Sequence, residues 1–168
     1  MIKSKRILSL LLVLISVLSM FGFSQTAFAA TVTKSQSAYN AVSKAYGKKF
    51  VLTSKNRIKS KTRVMGVRTS YMKNYYAASV TKGKKKSQAK YSIFICEAKN
   101  KKDVSKIKNA LNDYIENEEI SMSSYLSSSG KKLYKNAKVG TKGKYVYLVM
   151  LDTAKNTKAV NAIKKALK

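Results

Sequence analysis

Two spacings of apolar residues alternate along this chain, one of two residues and one of three to four, and they recur twice in the same order. Residues 75–81 alternate like a strand, a polar Gly-containing turn follows over 82–89, and residues 90–97 form a second, strongly apolar strand. From about residue 101 to 117 the apolar positions Val104, Ile107, Leu111, Tyr114 and Ile115 fall at helical spacing. The order returns as a short strand at 136–141, a turn at Lys142-Gly143, a strand at 144–151 and a helix from about 157 to 167. Asn100 and Asn156 stand where N-caps are expected, and Asp103 places negative charge in the first turn, where the helix dipole favours it.

The two copies overlay. Ala98-Lys99-Asn100 matches Ala154-Lys155-Asn156, and the ungapped match continues through Val104, Ile107 and Leu111 onto Val160, Ile163 and Leu167. Upstream, Thr81-Lys82-Gly83-Lys84 matches Thr141-Lys142-Gly143-Lys144. In each longer strand both faces are apolar: Ile93 and Ile95 against Phe94 and Cys96, and Tyr147, Val149 and Leu151 against Val146, Leu148 and Met150. Strands buried on both faces are central ones. The expected fold is therefore α+β, a four-stranded antiparallel sheet of order 1-2-4-3 from a duplicated β-β-α unit, with the repeat helices on one face. A short amphipathic helix at 34–46, with Tyr39, Val42 and Tyr46 on one side and Gly47 as its terminator, is expected on the other face or at the edge. Residues 118–130 read as a Ser-rich connector anchored by Met122, Tyr125 and Leu126.

The chain opens differently. Lys3, Lys5 and Arg6 precede an apolar run from Ile7 to about Phe21, and Ala27-Phe28-Ala29 supplies the small-x-small pattern of a signal-peptidase site. Residues 1–29 are expected to be a cleaved signal peptide, residues 30–63 an N-terminal helix and basic connector, and residues 64–168 the α+β core. Such a product is secreted, extracellular or wall-associated. Its lone cysteine, Cys96, lies in a strand and reads as a small buried apolar residue.

Charge changes the picture most. Beyond residue 29 the chain holds 32 Lys and Arg against 7 acids, a net charge of +25. Residues 30–96 hold 16 of these basic residues and no acid. A field of this sign attracts anionic polymers. Lysine predominates over arginine, which suits diffuse attraction better than bidentate recognition. Candidate anion-binding residues are the connector cluster Lys48, Lys49, Lys55, Arg57, Lys59, Lys61 and Arg63, and the turn cluster Lys82, Lys84, Lys85 and Lys86.

Catalytic patterns do not emerge. The chain has no His, which excludes His-based triads and removes the commonest metal ligand. Ser-x-x-Lys spacings recur, as in any chain rich in both residues, without the partner motifs of serine acylases. The carboxylates Asp113, Glu116, Glu118 and Glu119 crowd one helix end, not two sides of a cleft as glycoside hydrolysis requires. No enzyme activity, cofactor or metal is expected.

The strand 91–97 (Tyr-Ser-Ile-Phe-Ile-Cys-Glu), the helix end 112–117 (Asn-Asp-Tyr-Ile-Glu-Asn), Tyr125 and the segment 136–152 carry a resemblance. From about residue 64 onward the chain resembles a family of small secreted or lipid-anchored proteins of Gram-positive bacteria, the domain of unknown function DUF4358. The resemblance implies export and a compact α+β domain, and brings no activity with it. The chain departs from it in lacking a lipid-attachment cysteine and in being more basic. The expected function is non-enzymatic association with anionic cell-wall polymer, teichoic acid above all, or with a membrane surface. Extracellular nucleic acid is a second expected partner. A third is a protein partner or second copy docking on an uncovered face of the sheet.

Overall fold

The strands whose residues are apolar on both sides take the middle of the sheet. The structure, a computed structural model, describes residues 32–46, 58–81 and 90–168. The expected signal peptide, most of the basic connector and the turn at 82–89 lie outside the described residues. In chain order the elements are α1 (Lys34–Tyr46), a small hairpin of β1 (Arg63–Val64) and β2 (Val67–Arg68), β3 (Met72–Thr81), β4 (Lys90–Ala98), α2 (Asp103–Met122), α3 (Ser128–Lys135), β5 (Lys138–Lys142), β6 (Tyr145–Met150) and α4 (Thr153–Ala166). The four-stranded sheet runs β3-β4-β6-β5, antiparallel throughout, so an α+β domain with β4 and β6 at the centre of the sheet is the observed architecture, while the longest strand, β3 of 10 residues, is an edge. Phe94 lies opposite Leu148 and Ile95 opposite Tyr147 across the central pair.

Alternation along these strands sends side chains to two separate cores. Phe94, Cys96, Val146, Leu148 and Met150 pack with Ile107 and Leu111 of α2, Leu133 and Tyr134 of α3, and Val64 and Val67 of the small hairpin. Ile93, Ile95, Tyr147, Val149 and Leu151 pack with Ala38, Tyr39 and Val42 of α1 and Ala159, Ile163 and Leu167 of α4. The fold thus has three layers, helix on sheet on helix.

The repeat helices do not share a face, which corrects the expected layout. Two β-β-α copies pairing antiparallel through their second strands are related by a two-fold axis normal to the sheet, and such an axis keeps both helices on one side. The strands satisfy that relation; α2 and α4 do not. Space explains the difference. On the α2 side, α3 and the small hairpin already cover the sheet beside α2. On the other side α1 is about 20 Å long at 1.5 Å per residue, too little to cover two central strands alone. With α4 beside α1, that face of the sheet is covered by two helices among the described residues.

Asn156 is also not an N-cap. α4 begins at Thr153 with Asp152 in the cap position, one turn earlier than the overlay places it. Asn156 is buried inside the first turn; it accepts a hydrogen bond from the Leu151 N–H at 2.8 Å and donates to the Asn136 carbonyl at 2.7 Å. Asn100 does not cap with its side chain either. Its carbonyl accepts from the Asp103 N–H, and its amide donates to the Asp103 carboxylate at 3.0 Å. That contact, helped by Lys106, holds the Asp103 carboxyl below its ordinary range.

The 118–130 connector is more ordered than its composition suggests. α2 runs on to Met122, and α3 forms from Ser128, capped by the Ser127 hydroxyl accepting from the Gly130 N–H at 3.3 Å. Val64 and Val67 flank a two-residue turn in which Met65 (φ 48°) and Gly66 (φ 78°) are both left-handed. This is the hairpin turn whose twist matches paired strands. A Cβ on Gly66 would lie 3.0 Å from the Ala110 carbonyl oxygen of α2. Gly66→Ala should therefore cost about 1–2 kcal/mol from backbone strain and crowding, read as a lower urea midpoint at unchanged slope.

Candidate anion-binding surface

Lys59, Lys61 and Arg63 are the connector candidates among the described residues, and all three are exposed. Lys48, Lys49, Lys55 and Arg57, with Lys82, Lys84, Lys85 and Lys86, lie outside the described residues. Residues 58–61 run beside edge strand β3. The Ile58 N–H donates to the Ala77 carbonyl at 2.9 Å, and the Tyr75 hydroxyl both donates to the Ser60 carbonyl and accepts from the Ser60 N–H, each at 2.9 Å. The clasp fixes the backbone between Lys59 and Lys61.

An open groove of about 600 Å³ results, lined by Lys59, Lys61 and Lys73 with Asn74, Tyr75 and Tyr76. Lys73 is 3.7 Å from Glu97, and Asn74 donates to the same carboxylate at 3.0 Å. Lys73 is thus partly neutralised, whereas Lys59 and Lys61 supply charge at the rim. Arg63 belongs elsewhere. It lines a separate cleft of about 480 Å³ whose other wall carries Asp113 and Glu118. The fold therefore brings Lys59 and Lys61 together, and sets Arg63 against acids.

The larger basic surface escaped the sequence reading. The α1–α4 layer, residues 34–46 and 152–168, carries seven lysines and one side-chain carboxylate, Asp152. The Asp152 carboxylate accepts from the Tyr91 hydroxyl at 3.0 Å. Across the sheet, residues 103–135 of the α2–α3 layer carry five lysines and five acids. The two helices of the basic layer run antiparallel. Lys34 at the start of α1 donates to the Lys168 carbonyl at 3.0 Å, and Lys155 at the start of α4 lies 4.4 Å from the Tyr46 ring centroid. Lys142 donates to the Lys164 carbonyl, so both ends of α4 are tied by lysines. Lys158, Lys164, Lys165 and Lys168 project outward, exposed. Among the described residues, ion pairs to carboxylates involve Lys73, Lys90 and Lys106 and none of these four. The signal that marks it is the spacing of Lys158, Lys164 and Lys165, which share one face of α4 while standing apart in the sequence.

Cys96 is fully buried beneath α2, and burial pushes its thiol up to about 12. It serves as the small core residue its strand position predicts.

A three-layer domain with one basic helical face is thus the class of molecule this chain forms. A family model described as a domain of unknown function, DUF4358, matches residues 62–151, more than half of the chain, and the chain belongs to that family. The match runs from the small hairpin to the end of β6 and stops before α4, so the basic layer falls wholly outside it. No curated protein and no solved structure matches the chain.

Proposed function

We propose that this protein is exported and held at the cell envelope by charge, with no enzymatic role. Its partner is an anionic envelope component, wall teichoic acid or the outer membrane leaflet. The observation that carries this reading is the display of lysines without carboxylate partners, at the Lys59–Lys61 rim and along α4. Near an anionic surface each such lysine contributes up to about 1 kcal/mol. A dozen suffice without any shaped pocket.

Charge held this way is sensitive to salt, because screening shortens from about 8 Å at physiological ionic strength to about 3 Å at 1 M. The processed protein, purified from culture medium, should co-sediment with cell walls at low salt and release by about 0.5 M salt. Neutralising the 48–63 and 82–86 clusters should lower the bound fraction. Binding that survives 1 M salt, or is unchanged by those substitutions, would overturn the reading. We also read the hairpins β3–β4 and β5–β6 as copies of one unit, on their shared Thr-Lys-Gly-Lys turns; the helices are outside that relation.

A further inference from the structure

We propose that the α1–α4 layer is the face on which this protein rests against an anionic lipid bilayer; this builds on the envelope reading above and names the surface and its orientation. The first observation is asymmetry. One helical layer carries seven lysines and one side-chain carboxylate, and that carboxylate is engaged by Tyr91; the opposite layer balances five lysines with five acids. The separation gives the domain a charge polarity normal to its sheet. A plane of negative charge meets only one face at a time, so such polarity sets orientation there. A flexible phosphate polymer can reach lysines on any side and gains nothing from their segregation.

The second observation is the shape of the display. At about 100° per residue, Lys158, Lys164 and Lys165 fall within an arc of roughly 120° on the exposed side of α4, and Lys168 follows just beyond its end. The positions sharing that arc are Ala154, Thr157 and Asn161, small or polar and uncharged. Lys44 on α1 is exposed in the same layer. Apolar residues of both helices point inward: Ala38, Tyr39, Val42, Ala159, Ile163 and Leu167 are buried on the sheet. The outer surface therefore has charge without an apolar stripe to insert. That suits a domain lying on headgroups, not one sunk between acyl chains. Lys34 is tied to the end of α4, which leaves the α4 arc and Lys44 as the contacts.

The test uses the processed protein with vesicles of phosphatidylglycerol and phosphatidylcholine at roughly one to two, in about 0.1 M salt. One variant carries Lys158→Gln, Lys164→Gln and Lys165→Gln. Its control carries Lys108→Gln, Lys131→Gln and Lys132→Gln on the other layer, with the same change in net charge. All six side chains are exposed, and circular dichroism is to be used to check that both variants fold. The α4 variant should lose roughly 100-fold in vesicle partitioning, at about fivefold per lysine, whereas the control loses less than about fivefold. Equal losses would overturn the oriented face and leave envelope binding by charge standing. Wild-type protein that ignores these vesicles but sediments with teichoic-acid-bearing walls would overturn the bilayer as partner and keep the envelope reading. Failure to bind either would overturn both.

Discussion

Raising the pH from the ordinary thiol value of 9.0 toward 12 is expected to destabilise this domain. Cys96 is the largest single cause. Its thiol is sealed under α2, so in the folded state it stays protonated up to about 12, while in the unfolded chain it ionises from 9.0. The unfolded state releases its proton first and is favoured as pH rises through that window; below it the full stability is present. Three units at 1.36 kcal/mol each amount to about 4 kcal/mol, against a typical total of about 5–15 kcal/mol. Tyrosines act in the same direction. Burial raises Tyr46, Tyr91, Tyr114, Tyr134, Tyr145 and Tyr147 above 10.0, and Tyr91 is raised further by its hydrogen bond to Asp152. The thiol therefore has to be isolated from these tyrosines by comparison. Urea unfolding of wild type and Cys96→Ala at steps from neutral pH to 12 does this. The variant starts lower at neutral pH for its small cavity, and wild type then falls about 4 kcal/mol further than the variant. Parallel curves would mean that the thiol is not sealed.

The sheet was legible because its signal is redundant. Residues 91–96 and 145–151 are apolar at every position but Ser92, which marks central strands whatever surrounds them, and the short α1 carried its apolar face plainly in Tyr39, Val42 and Tyr46. What the alternation cannot express is the side to which a chain turns after leaving a strand. That choice rests on what else competes for the face, here α3 and the small hairpin. α3 was hidden by composition, since its Ser127-Ser128-Ser129-Gly130 opening reads as a loop. Leu133 and Tyr134 give it a buried side, and the Ser127 cap starts it. The β1–β2 hairpin has strands of two residues and places Met65 at φ 48°, and neither feature has a local pattern to betray it.

Legibility of the site followed the same line. The quantity of positive charge was plain from composition, and Lys59 and Lys61 were found by their crowding. Its segregation into one layer was not plain, because Lys158 and Lys165 stand seven residues apart and come to share a face only on a helix. That α4 shares its layer with the acid-free α1 depends in turn on the face α4 takes. A repeat with both helices on one side would have put α4 on the face that carries the five acids of residues 103–135. The departure from the symmetric layout is thus what creates the basic face.

Asn156 tests the same departure at one residue. Its amide joins three elements, accepting from Leu151 at the end of β6 and donating to Asn136 between α3 and β5, while its backbone lies in the first turn of α4. Asn136 also donates to the Thr153 hydroxyl at 3.0 Å, so the start of α4 is held at two points. Asn156→Leu would strand a buried N–H and leave the Asn136 carbonyl short of a donor, at about 1–3 kcal/mol for each group. The expected loss is about 3 kcal/mol, a large part of a typical domain's stability. Asn161→Leu, on the exposed side of the same helix, should change stability by less than about 0.5 kcal/mol. The informative variant is Asn156→Ser. Serine caps helices about as well as asparagine, so a capping residue would tolerate the change within a few tenths of a kcal/mol. A hydroxyl is too short to reach both Leu151 and Asn136, and a bridging residue would lose nearly as much as with leucine. Urea midpoints of the three variants at constant slope decide between the two, and a tolerated serine would return Asn156 to the capping role its sequence suggests.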